Sequence, residues 1–106
     1  MKADEQREKR ATFFVFVRIH ARAAHEADVA VALQKVTLLT CDEADCVAID
    51  VFQSTTDRQL FHVHSRWADE AAFNHHATLP HTIEFIERVD ALVDRPREVI
   101  RTVARR

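Results

Sequence analysis

Hydrophobic and polar positions along this chain change period several times, and the changes mark out its elements. Residues 12–21 contain Phe13, Phe14, Val15, Phe16, Val17 and Ile19, a dense run of β-branched and aromatic side chains that predicts a strand. Over residues 25–40 the period lengthens. Val29, Leu33, Val36 and Leu39 recur at helical spacing, and Glu26 and Asp28 fall in the acidic first turn that helices favour. A polar break at 41–45 precedes a second strand at 46–53. Residues 54–57 (Ser-Thr-Thr-Asp) are of the kinds that bond their own backbone in turns, so a third strand at 59–67 would close a hairpin with the second. A short helix is expected at 68–77, interrupted by Thr78, Leu79 and Pro80. Proline is tolerated in a first helical turn, so a new helix starts near Pro80, with Ile83, Ile86, Val89 or Asp90, and Val93 as its apolar stripe. Asp94, Arg95 and Pro96 end it, and a fourth strand occupies 97–103. Residues 1–11 are charged and lack apolar periodicity, which predicts a flexible tail ahead of one domain spanning 12–106.

The order β-α-β-β-α-β predicts an α+β protein of the ferredoxin-like split βαβ kind, with helices on one face of an antiparallel sheet. Strand residues alternate between faces, so the two sides can be sorted. Val15, Val17, Ile19, Val47, Ile49, Val51, Phe61, Val63, Ser65 and Trp67 form one nearly apolar set, expected under the helices. The other set mixes Phe14, Phe16, Phe52 and Leu60 with Arg18, His20, Cys46, Ala48, Asp50, His62, His64 and Arg66. Such a face suits neither water nor a dry core. A subunit interface with internal ion pairs suits both kinds of residue, which predicts a homodimer formed sheet to sheet, most simply with twofold symmetry.

Composition narrows the partners. A 106-residue chain buries a modest core, which a second subunit would supplement. Fifteen basic against 17 acidic residues give a formal charge of −2, where dedicated nucleic-acid binders carry a basic surplus. Five arginines between Arg95 and Arg106 form a local basic end, read as a solvated face. No apolar run is long enough to span a bilayer and no signal-peptide pattern is present, so a cytoplasmic location is expected. Cys41 and Cys46 are five apart, outside redox and zinc-ribbon spacings, which predicts two free thiols, one buried and one in a loop. Glycine is absent, so positive-φ positions are expected to fall to Asn or Asp.

The candidate chemistry lies in RWADEAAFNHHATLPH, residues 66–81. Trp67 ends the third strand on the helix-facing side, His76 closes the short helix, and His81 opens the next. The three can converge at one end of the space between sheet and helices, while His75, about 100° around the helix from His76, is expected to be exposed. A strand-ending Trp, a His nine residues on, and Pro80-His81 at +13 and +14, in this element order, resemble the antibiotic biosynthesis monooxygenase family. The likeness covers roughly residues 13–104. Ser65 stands where that family often carries Glu, Ala23-Ala24 where it often has Pro-Gly, and Glu43-Ala44-Asp45-Cys46 where it often has Glu-Pro-Gly-Cys. Val17 stands where haem-degrading members carry Asn, which points away from haem.

The resemblance implies a dimeric α/β barrel and, for the monooxygenase members, no metal, flavin or haem: an electron-rich phenol or quinol passes its own electrons to dioxygen. It implies a small quinol-like or polyketide-derived aromatic substrate, with His76 and His81 as base and anchor. Trp67, Phe61, Val17 and Ser65 would form the binding surface, the first two by stacking. A histidine titrating near neutrality suits removal of a phenolic proton, and an apolar pocket keeps water from the reactive intermediate. Two other classes stay open. One is a dimeric module that binds a small hydrophobic ligand without turnover. The other is a metal-binding dimer built on His62 and His64, which project from one strand face and would need Asp50, His20 or a second subunit to complete the ligand set.

Overall fold

The computed structural model describes residues 12–105; the charged segment 1–11, expected to be a tail, and Arg106 lie outside the described residues. Four strands, β1 (Phe13–His20), β2 (Cys46–Gln53), β3 (Leu60–Trp67) and β4 (Glu98–Val103), and three helices, α1 (Glu26–Cys41), α2 (Glu70–His76) and α3 (Pro80–Asp90), follow one another as β-α-β-β-α-α-β. The strands form one sheet in the order β2-β3-β1-β4, with every neighbouring pair antiparallel. β3 is therefore inserted between β1 and β2, as the ferredoxin-like arrangement requires. Within a single chain this sheet is open, with β2 and β4 as its edges, and does not close into a barrel.

Local chemistry sets the turns. In the β2–β3 hairpin, Ser54 Oγ accepts from the amides of Thr56 and Asp57, and Asp57 Oδ1 accepts from the amide of Gln59. Asp69 caps α2 by accepting the Ala72 amide at 2.8 Å, and Pro80 sits in the first turn of α3, where its missing N–H costs nothing. The left-handed position after β1 falls to Ala24, at φ 71°, and not to an Asn or Asp as expected. An alanine there costs about 1–2 kcal/mol relative to the right-handed region. His25 N–H to Arg22 O and Ala24 N–H to Glu26 hold the turn in place.

The face assignment holds for β1 and β3: Val15, Ile19, Phe61, Val63, Ser65 and Trp67 are buried beneath the helices. It fails at the start of β2. A register shift between Cys46 and Ala48 adds one residue there, so Cys46 opposes Trp67 and Val47 falls in the bulge. Cys46, expected on the outer face, is buried with Phe13, Val15, Trp67 and Ala72. Burial, with Cys41 and Glu43 adding to it, pushes its thiol up to about 12, while Cys41 is exposed; both are free. The helical stripes hold at Val29, Leu33, Val36, Val89 and Val93 and differ at one position each. Thr40, fully buried, replaces Leu39 at the end of the α1 stripe, and Thr82 and Val89 are the buried residues of α3 while Ile83 is 46% exposed. α3 starts after the extended Leu79, and the rotation set there turns Thr82, Phe85, Ile86 and Val89 inward.

A histidine fastens one rim of the sheet. His20, the last residue of β1, places Nε2 at 2.9 Å from Asp57 in the hairpin turn and Nδ1 at 2.9 Å from Asp94 in the α3–β4 loop. The two carboxylates, Asp57 first, hold its pKa above the ordinary 6.5 against partial desolvation and the Arg95 charge. A raised folded-state pKa contributes stability that is fully present below the unfolded value and is lost as pH rises through the folded value. His20→Asn is therefore expected to destabilise most in mildly acidic urea titrations, with the gap to wild type narrowing as pH climbs past neutrality. A gap that widens with pH would contradict this ion-pair account.

Candidate functional site

The site is assembled where three chain segments meet beside the end of β3. Beyond α1 the chain keeps turning: Glu43 N–H bonds Thr40 O, and Glu43 O accepts Cys46 N–H as β2 begins. This holds Glu43 beneath the α2–α3 junction. His76 ends α2, His81 is the second residue of α3, and the Leu79 amide on His76 O keeps the link between them short. Glu43 Oε2 lies 2.7 Å from His76 Nδ1 and 2.7 Å from His81 Nε2. A carboxylate oxygen only accepts, so each of these ring nitrogens donates its proton to Glu43. Thr82 Oγ1 is a longer neighbour of the same His76 nitrogen, at 3.3 Å. His76 Nε2 has no hydrogen-bond partner among the described residues.

Burial pushes the His76 pKa below the ordinary 6.5; the Glu43 carboxylate pulls the other way, and His81 adds to the lowering. Burial thus favours the neutral ring, and in that form the bond to Glu43 puts its proton on Nδ1 and its lone pair on Nε2.

His76 lines a cavity of about 380 Å³ between the sheet and the helices, a size typical of small-molecule sites. Its walls are mainly apolar: Val17, Ile49, Val63 and Val99 from the sheet, Leu33, Val36, Phe85 and Ile86 from the helices. Trp67 and Phe73 close the His76 end, with ring centroids 4.7 Å and 5.7 Å from that of His76. Arg97 and Arg101 also reach the cavity, each tied elsewhere: Arg97 to Asp90, Arg101 to Glu70 and Asn74.

Of the residues singled out by sequence, Trp67, His76, Val17 and Ser65 come together on this cavity. His81 reaches it through Glu43 and otherwise lines a shallow groove between α1 and α3. Phe61 packs in the core with Ile19 and Val63, one layer behind the wall that those two form. Ser65 is occupied internally: its hydroxyl accepts the Trp67 indole N–H at 2.9 Å and donates to Val15 O. His75 is exposed, as expected. His62 and His64 lie on the far face of the sheet, where Phe16 and Phe52 flank the His64 ring at 4.8 and 5.0 Å. Glu43 is the residue that sequence reasoning passed over. Its mark was its place at the head of the segment 43–46, but nothing in that segment says that the carboxylate faces two histidines more than 30 positions on.

The fold and the cavity define a ferredoxin-like α+β protein with a histidine at the end of a partly open, mainly apolar cavity. Residues 12–88 match the antibiotic biosynthesis monooxygenase family, and the chain belongs to it. Solved structures share the fold at low identity. One described as an antibiotic biosynthesis monooxygenase superposes with a TM-score of 0.85 at 20% identity, covering 89% of this chain and 99% of that one. PA3566 from Pseudomonas aeruginosa gives 0.83 at 22% identity, covering 91% and 96%. Rv0793 from Mycobacterium tuberculosis gives 0.85 at 20%, covering 91% and 97%. No curated protein matches the sequence.

The Ser65–Trp67 bond carries a stability prediction. Ser65→Ala leaves a buried indole N–H without an acceptor, and the cost of such a group is about 1–3 kcal/mol. Chemical denaturation is expected to show a loss in that range, whereas a loss near zero would mean that the indole finds another acceptor.

Proposed function

We propose that this protein is a monooxygenase that needs no cofactor and acts on a small quinol-like or polyketide-derived aromatic, with dioxygen as co-substrate. One observation carries the reading: His76 lines an apolar cavity with Nδ1 anchored on the Glu43 carboxylate, and its other ring nitrogen has no hydrogen bond among the described residues. In this reading the substrate ring lies against Trp67, among the aliphatic side chains from Val17 to Phe85, with Ser65 holding the indole plane and Phe61 backing the wall. His76 Nε2 takes the phenolic proton, and Glu43 steadies the imidazolium that forms, as carboxylates steady histidine bases elsewhere. His81 shares that carboxylate and anchors it. The phenolate then supplies all four electrons that dioxygen takes up: one oxygen atom enters the ring, the other leaves as water with the two hydrogens the substrate loses, and the ring ends as a quinone, so no outside reductant is needed. The apolar walls shield the intermediate from bulk water.

The outer sheet face supports a homodimer. Phe52 and Ile100 are 49% and 44% exposed in the single chain, beside Phe14, Phe16, the Arg18–Glu98 pair and the Arg66 guanidinium over the Phe14 ring. A second copy seated there, sheet to sheet, would cover this patch and complete the barrel that one open sheet lacks. We place the protein in the cytoplasm, in keeping with its two free thiols. Among the described residues no helix is long and apolar enough to cross a membrane.

Oxygen uptake by chelator-treated protein with a panel of hydroquinones and hydroxyanthraquinones tests the activity. Turnover is expected with at least one, and His76→Ala should lower it by about 10²–10⁴-fold, the usual worth of a general base. Saturable binding of these aromatics with no uptake would leave the cavity a binding module. Light scattering at micromolar concentration tests the dimer. Wild type is expected at twice the chain mass and Phe52→Glu at one, and a monomeric wild type would sink the sheet-to-sheet assembly.

A further inference from the structure

The donors that meet at Glu43 also make a ligand set. Glu43 Oε2, His76 Nδ1 and His81 Nε2 all lie within 4.8 Å of one another. Their side chains are 12%, 11% and 19% exposed, so the atoms are shielded without being sealed. Zinc binds imidazole nitrogen and carboxylate oxygen at about 2.0–2.2 Å, and two histidines with one glutamate is a donor set it accepts, leaving a fourth position for water. Among the described residues no other trio of His, Cys, Asp or Glu gathers this closely. His62 and His64, whose strand spacing suggests a metal pair, have no third ligand gathered with them.

We infer that Glu43, His76 and His81 form a binding site for one divalent transition ion per chain, with Zn²⁺ as the fitting species. An ion between these donors and the base proposed above exclude each other. Coordination occupies the Nδ1 lone pair of His76, so the ring proton must sit on Nε2, and that nitrogen changes from acceptor to donor. On His81 the proton moves from Nε2 to Nδ1 in the same way. For two neutral rings this is an exchange of tautomers, with no proton released and no charge lost from Glu43. Zinc would then hold the enzyme inactive. That consequence rests on the proposed function, whereas the binding itself rests on the three donors alone.

Chelator-treated full-length protein, titrated with ZnCl₂ in a calorimeter and with CoCl₂ under visible absorption, decides the site. One ion per chain is expected, with cobalt bands typical of low coordination number. Glu43→Gln and His81→Ala should each weaken uptake by more than about 100-fold, beyond the 10–100-fold that outer-shell partners are worth. Glu43→Gln keeps the side chain's shape, so its effect reads the ligand and not a collapsed loop. His75→Ala and His62→Ala should bind as wild type does. No saturable uptake, uptake indifferent to both ligand substitutions, or uptake lost in His62→Ala would each overturn the site. Stoichiometric zinc at this site with undiminished oxygen uptake would overturn the mutual exclusion alone. If no aromatic supports oxygen uptake, the monooxygenase reading fails and the calorimetry still decides the metal site.

Discussion

One carboxylate oxygen, Glu43 Oε2, accepts hydrogen bonds from two imidazoles, and three segments of the chain are tied together at that atom. The turn after α1 lies more than 30 residues before the α2–α3 junction, and both are polar where they meet. Each of these groups would be costly to bury alone. Buried together they satisfy one another: the carboxylate receives two N–H donors, and each ring is held in one tautomer and one orientation. The same contact fixes the His76 ring at one end of the apolar cavity, with its other nitrogen unbonded among the described residues.

The sheet divides the protein into two chemistries. On the helix side, Trp67 is 1% exposed and packs against Phe73 and His76, while its indole N–H is satisfied by Ser65. This lets the largest aromatic of the chain serve core and cavity wall at once. On the other side, phenylalanines, histidines and ion pairs share one surface, where apolar side chains raise the cost of leaving the charges unpaired and the charges deter burial against anything but a matched partner. At the basic end, Arg97 pairs with Asp90 of α3 and Arg101 with Glu70 of α2, which helps hold β4 and the loop before it against the helices.

Much of this was legible because periodicity reports burial directly. Alternation along β1 and β3 identified the covered face residue by residue, since neighbouring side chains on a strand have no choice but to face opposite ways. The Ser-Thr-Thr-Asp hairpin turn, the Pro80 helix start and the free cysteines were equally plain, each depending on a few adjacent residues. Errors arose where one local irregularity changes everything after it. A single extra residue in the β2 bulge moved Cys46 from the outer face to the core. The start of α3 put Thr82, and not Ile83, among the buried residues. The left-handed turn after β1 went to Ala24 although asparagine or aspartate would be less strained there, because the neighbouring hydrogen bonds fix the backbone whatever the side chain.

The sequence by itself determined the α+β class, the order of the strands and helices, the covered face of the two central strands, and the meeting of Trp67 and His76 at one end of the space between sheet and helices. These follow from short-range stereochemistry and from the need to bury apolar side chains. Tertiary structure alone decided which polar groups meet. Glu43 is 33 residues from His76 and 38 from His81, and His20 is 37 from Asp57 and 74 from Asp94. No periodicity encodes such pairings, because hydrogen bonds and ion pairs depend on distances of a few ångströms that exist only once α1, the sheet and the α2–α3 junction have packed.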